Sequence, residues 1–85
     1  MFDEQYLEAK RRHPNTIILF RMGGHYEAFN DDAECIAECL RRKLIVEQGT
    51  KRIHLSARYL DKCIDRLNRE GFAVTVWRIE QFNEV

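Results

Sequence analysis

Eighty-five residues set the scale of one small domain, above the length at which disulfides or a bound metal become necessary for folding. Apolar residues make up 45% and charged residues 33%, which excludes a disordered chain and argues for a packed core under a solvated surface. Basic and acidic residues balance at 14 each, so the chain as a whole lacks the positive excess of a strong, stand-alone nucleic-acid binder.

The first predicted element is a helix over about Asp3 to Arg12, with Asp3 as its cap, Tyr6 and Leu7 opening an apolar stripe, and Lys10-Arg11-Arg12 suiting its C-terminal dipole. Pro14 disfavours helical geometry at His13 and stops it. From Thr16 to Met22 the apolar run is nearly continuous and β-branched at Ile17 and Ile18, the pattern of a strand buried on both faces. Gly23-Gly24 then suits a two-residue hairpin turn, because glycine reaches positive φ without steric cost. Residues 25–29 return as a second strand. Period-two alternation sets His25, Glu27 and Phe29 on one face and Tyr26 and Ala28 on the other, so an aromatic ring and an acceptor stand together at the hairpin lip.

A second helix starts at Asn30 or Asp31, buries Ala33, Ile36, Ala37 and Leu40, and ends in Arg41-Arg42-Lys43. Leu44-Ile45-Val46 and Arg52-Ile53-His54-Leu55 flank Gln48-Gly49-Thr50 as a short hairpin. Ser56 is the expected N-cap of a third helix carrying Tyr59, Leu60, Cys63, Ile64 and Leu67 on one face, with Gly71 ending it as a C′ residue. Phe72 through Trp77 forms a last strand. The order α-β-β-α-β-β-α-β predicts an α+β fold, a mixed sheet packed with three helices, in a single domain over residues 1–85.

Charge is distributed unevenly. Residues 1–40 hold four basic and eight acidic residues, a net of −4, and residues 41–70 hold nine and four, a net of +5. No stretch approaches the roughly 18 apolar residues of a membrane span, and the acidic start Met1-Phe2-Asp3-Glu4 is unlike a signal peptide. A cytoplasmic protein without a membrane partner is the expectation. Cys35, Cys39 and Cys63 are odd in number and lack framework spacing, so buried free thiols are expected, with Cys63 on a different apolar face from the other two. A zinc site would need a further ligand such as His13, His25 or His54, and no compact pattern supplies one. Phosphate-binding and nucleophile-elbow motifs are absent, and Ser56 is the only serine. Neither an enzyme nor a cofactor is expected.

Two stretches carry a family resemblance: Tyr6-Leu7-Glu8-Ala9-Lys10, and Ile18 through Phe29. They resemble the N-terminal domain of the MutS DNA mismatch-repair proteins, which writes these regions as Y-L-x-x-K and I-L-F-F-R-M-G-D-F-Y-E-x-F. The likeness continues through Asp31-Asp32-Ala33 and returns more weakly at Leu60-Asp61, Ile64 and Leu67 through Val74, so that it spans about Tyr6 to Trp77. In the family an F-x-E motif reads the mismatch: the phenylalanine wedges beside the mispaired base and the glutamate hydrogen-bonds it. Here the glutamate is Glu27, the wedge position holds His25, and the preceding aspartate is Gly24. The family's later G-V-P-Y-H stretch reads His54-Leu55-Ser56-Ala57-Arg58, after a shorter hairpin loop.

The resemblance implies a DNA-binding domain with weakened or altered mismatch reading and no ATPase of its own. His25, Glu27 and Gly24 would meet double-stranded DNA, mismatched in the family's case, and Arg58 and Lys62 would contact its phosphates. The alternative is a protein-interaction module that keeps the fold without the reader, docking on a protein partner or within a larger MutS-type assembly. A fragment of a longer protein and a free-standing relative both fit.

Overall fold

The computed structural model describes residues 2–79, with side chains from residue 4 onward. Its elements follow the expected order: α1 (Phe2–Arg12), β1 (Ile17–Met22), β2 (His25–Phe29), α2 (Asn30–Leu40), β3 (Ile45–Glu47), β4 (Thr50–Ser56), α3 (Leu60–Arg69) and β5 (Val74–Arg78). The five strands form one sheet in the order β3-β4-β2-β1-β5, with β1 and β5 parallel and the other neighbours antiparallel. This is an α+β fold with helices on both faces of a mixed sheet.

Strand β1 explains the layering. Ile17 and Leu19 face one way and Ile18 and Phe20 the other, and all four are buried. The first face carries Tyr26, Ala28, Ile53 and Leu55 and is covered by α2 and α3 through Ala33, Ile36, Cys63 and Leu67. On the second face Ala9 and Tyr6 of α1 pack on Ile18, Phe20 and Phe29, the Tyr6 ring lying 5.9 Å from that of Phe20. Strand β2 pairs with β1 only from Phe20 onward, so the Ile18 N–H lacks a strand partner on that side. Asp32 supplies one: its Oδ2 accepts the Ile18 N–H at 3.0 Å and the Lys10 ammonium at 2.9 Å, tying α1, β1 and α2 together.

Several local expectations shift. The Asp3 cap lies outside the described side chains, and α1 already includes Phe2. The helix α2 ends at Leu40, before its basic residues. Arg41 takes a left-handed φ of 55°, and the Arg42 N–H bonds the Ala37 carbonyl at 2.9 Å, so Arg41-Arg42-Lys43 follow the helix instead of forming its last turn. Ser56 does not cap α3. It ends β4, a 3₁₀ turn over Ala57–Tyr59 intervenes, and its side chain makes no capping hydrogen bond. The other end of α3 is as expected: Gly71 sits at φ 96°, with Gly71 N–H to Asn68 O at 3.0 Å and Phe72 N–H to Leu67 O at 2.9 Å, a Schellman closure. The β3–β4 link is Gln48-Gly49 alone, both at positive φ, and Thr50 belongs to β4.

The thiols also differ from expectation in one respect. Cys63 is buried in the same apolar cluster against which Cys35 and Cys39 pack, because α2 and α3 share one layer. Burial pushes the Cys63 thiol up to about 11, and burial together with the neighbouring Cys39 does the same to Cys35.

Candidate functional site

The β1–β2 hairpin closes on two residues. Met22 pairs with His25, and Gly23 at φ 70° supplies the positive backbone angle of the turn. Gly24 needs no such angle, and a Cβ built on it meets nothing within 4 Å. Crowding therefore does not force glycine at the position where the resembling motif has aspartate.

Beyond the turn, β2 directs His25 and Glu27 to the α1 face of the sheet, beside the apolar patch that α1 covers. The His25 Nε2–H donates to Glu27 Oε2 at 2.8 Å. Among the described residues Glu27 is the one charged residue in the core, only 7% exposed. Register brings in groups from the next strands: Glu27 lies opposite His54, Phe29 opposite Arg52, and Arg52 opposite Ile45. Paired positions share a sheet face, so Arg52 reaches both Glu27 Oε1, at 3.6 Å, and Glu47 Oε1, at 2.9 Å. The His54 ring stacks on His25, with centroids 4.3 Å apart and planes 28° from parallel. The strip thus holds one guanidinium, two carboxylates and two imidazoles. It offers a flat aromatic surface and hydrogen-bonding edges, without a surplus of positive charge.

Of the other expected site residues, Arg58 is exposed in the 3₁₀ turn. It follows Ser56 by two residues, and Ser56 pairs with His25, so Arg58 sits at the hairpin end of the sheet. Lys62 is exposed on α3, whose buried residues Cys63 and Leu67 pack on the opposite sheet face. His25, Glu27 and Gly24 therefore cluster with Arg58 at one end, while Lys62 belongs to the other layer. The α1 cations are committed within the fold: Lys10 to Asp32, Arg11 and Arg12 to Glu8, and Arg12 also over the Trp77 ring at 5.9 Å.

Sequence reasoning does not reach Glu47, names Arg52 only within a predicted strand, and meets His54 in that strand, as a conceivable zinc ligand and in an altered stretch, without joining any of them to His25 and Glu27. The available signal is the alternation Arg52, His54, Ser56 on one face of β4, which acquires meaning only once β4 is paired with β2. Among the described residues no group of three or more His, Cys, Asp or Glu side chains could hold a metal ion, and no helix is long and apolar enough to cross a membrane.

Comparison with known proteins places these residues in context. The family model for MutS domain I matches residues 1–84. The chain is similar to the DNA mismatch repair protein MutS of Chlamydia pneumoniae, 38% identical over 81 residues, which cover 95% of this chain and 10% of that protein. Its likeness to the MutS of Chlamydia muridarum is 36% over 73 residues, or 86% of this chain and 9% of that one. To the MutS of Methanosarcina barkeri it is 36% identical over 78 residues, covering 85% and 9% respectively. The chain spans about a tenth of the length of these relatives. With a matching model across nearly all its residues and the expected helix and strand order, this chain belongs to the MutS domain I family.

Proposed function

We propose that this chain is a DNA-binding domain of the mismatch-recognition type, its 85 residues acting as one such unit in the cytoplasm, with an altered reader and no ATPase or other catalysis of its own. The observation that carries this reading is the pairing of His25 with Glu27 at the lip of a glycine hairpin. The pair lies inside the segment that resembles the family's reader, and the relatives are named as DNA mismatch repair proteins. A ring next to a carboxylate can stack on a base and hydrogen-bond its edge. Stacking on an aromatic side chain contributes about 1–3 kcal/mol per base, and opening a step costs a few kcal/mol. Imidazole has less area than phenyl and two nitrogens that resist desolvation, so His25 stacks less favourably than a phenylalanine in its place. Arg58, at the hairpin end, supplies a phosphate contact beside the reader, and Lys62, near the start of α3 and outside that cluster, a more distant one.

The test is a titration of matched, G·T and single-base-bulge duplexes at low salt, with the natural chain and His25→Phe. Expected are binding that weakens steeply as salt rises, a shallower slope when Arg58 or Lys62 is neutralised, and a gain of mismatch preference in His25→Phe. If no duplex binds at low salt, the reading fails for this chain.

A second reading is favoured by one feature: in the free protein both Glu27 oxygens have partners, and His54 covers one face of His25. A protein-interaction module would keep this closed strip. It would bind a defined protein partner and leave every duplex untouched at all salt concentrations.

A further inference from the structure

Strands β1 and β5 run parallel, and their ladder continues to the hairpin end, where Arg21 lies in register with Arg78. Registered positions on neighbouring parallel strands share a sheet face and stand about 4.8 Å apart, so the two side chains leave the sheet side by side. Both residues are exposed. Arg21 lies on the face of Leu19, opposite to that of His25 and Glu27, so the pair is separate from the polar strip. Like charges directly opposite each other destabilise a sheet, and no carboxylate offsets them here. Among the described residues neither guanidinium enters an ion pair. Other arginines do: Arg11, Arg12, Arg52, Arg66 and Arg69 each meet a carboxylate at 3.6 Å or less. The Arg21 Nε–H instead donates to the Gly23 carbonyl at 3.5 Å, which lays its guanidinium beside the β1–β2 turn. Both arginines, Gly23 and Ile79 line an open cavity of about 420 Å³.

We infer that Arg21 and Arg78 clamp a phosphate group, whose oxygens supply the negative charge that the pair lacks within the fold. A guanidinium presents its N–H donors in a planar fork that matches phosphate oxygens, and it stays charged at any working pH. The turn is open to such a group, since a Cβ built on Gly23 or Gly24 meets nothing within 4 Å. The source assigned to the phosphate is the backbone of DNA, and that assignment rests on the DNA reading above. Phosphate contacts position a protein and carry no sequence information. The clamp therefore strengthens binding to matched and mismatched duplexes alike, whereas His25 and Glu27 act on the difference between them.

Fluorescence-anisotropy titrations of a matched and a G·T duplex across a salt series test this with the 85-residue chain, Arg78→Gln and Arg21→Gln/Arg78→Gln. Arg66→Gln/Arg69→Gln removes the same charge from α3 as a control. The double clamp variant is expected to bind both duplexes about tenfold more weakly at low salt, with a logarithmic salt slope shallower by about 0.9, the effect of one phosphate contact. Arg78→Gln falls between it and the natural chain, and the control stays within about twofold of the natural chain. Equal losses in the two double variants, or no loss in the clamp variant, overturn the clamp and leave the DNA reading standing. If no duplex binds at low salt the DNA reading fails, and inorganic pyrophosphate then decides the clamp by itself. It should raise the denaturation midpoint of the natural chain and of the control above that in chloride at equal ionic strength, and leave the clamp variant unmoved. The same midpoint change in all three overturns the clamp. Without phosphate, Arg78→Gln relieves a like-charge contact and should not lower the midpoint. A fall there would make Arg78 part of the scaffold and overturn the assignment.

Discussion

Strand β2 separates two kinds of surroundings within five residues. Tyr26 and Ala28 point into the layer under α2 and α3, where every buried member of the cluster is apolar. His25 and Glu27 point to the other face, into a strip with His54, Arg52 and Glu47. The first side is closed by helices that register their side chains against the sheet. On the second face α1 covers Ile18, Phe20 and Phe29, but the strip beside that patch is closed by side chains alone, and its contacts each include a partly exposed member: the His25 and Arg52 side chains are 31% and 34% exposed. Exposed ion pairs contribute little because water screens them, whereas close-packed apolar contacts carry most of the stability of a small domain. Folding energy should therefore reside in the apolar layers under the helices and recognition chemistry in the polar strip.

The largest expected effect tests the dry side. Leu19 is fully buried on β1, an interior strand of the sheet. Leu19→Ala is expected to lower unfolding free energy by about 2–5 kcal/mol, from lost transfer energy plus the cavity left behind. Urea denaturation followed by circular dichroism measures it. A loss under about 1 kcal/mol would mean that this layer collapses readily and is not the seat of stability.

A smaller effect lies at the end of a dry-side helix. Both α2 and α3 are followed by a left-handed residue and share one closing bond, Arg42 N–H to Ala37 O and Phe72 N–H to Leu67 O, but α3 uses Gly71 and α2 uses Arg41. A side chain in that region costs roughly 1 kcal/mol where glycine costs nothing comparable. Arg41→Gly should therefore raise stability by about 1 kcal/mol, seen as a higher denaturation midpoint with an unchanged slope. A fall in stability would mean that the Arg41 side chain makes a contribution larger than its strain.

How much of the molecule is legible in the sequence depends on whether a feature is local. Pro14, the Gly23-Gly24 turn and Gly71 punctuate the chain, and the doubly buried run of β1 follows from its continuous apolar residues. The element order can thus be read directly. Ser56 misleads because its local chemistry suits a cap, while the ladder to His25 commits its backbone to β4. Arg41-Arg42-Lys43 suit a helix end by charge, yet the left-handed turn at Arg41 terminates α2 first. In the site, the adjacency of His25 and Glu27 follows from period-two alternation alone. Arg52, His54 and Glu47 depend on how three strands align, information that no single stretch of sequence contains.

Glu27 is the residue at which the two faces can be set against each other. It is as buried as the apolar residues around it, so burial alone would make it a stability residue. Its partners argue otherwise. If Glu27 becomes methionine, Arg52 keeps Glu47 at 2.9 Å, and the freed edge of His25 belongs to a side chain already 31% exposed. Methionine is unbranched and adaptable enough to fill the space, and removing one member of a buried ion pair is costly only where it strands the other charge in the interior, which neither the partly exposed Arg52 nor the partly exposed His25 would be. Glu27→Met should therefore leave unfolding free energy within about 1 kcal/mol of the natural chain, while any preference for mismatched over matched duplexes disappears in the same titrations. The contrast with Leu19→Ala is what matters: one buried position governs folding, the other recognition. A Glu27→Met loss of about 3 kcal/mol would place it instead with the residues whose removal strands a buried charge, and the polar strip would then be part of the scaffold.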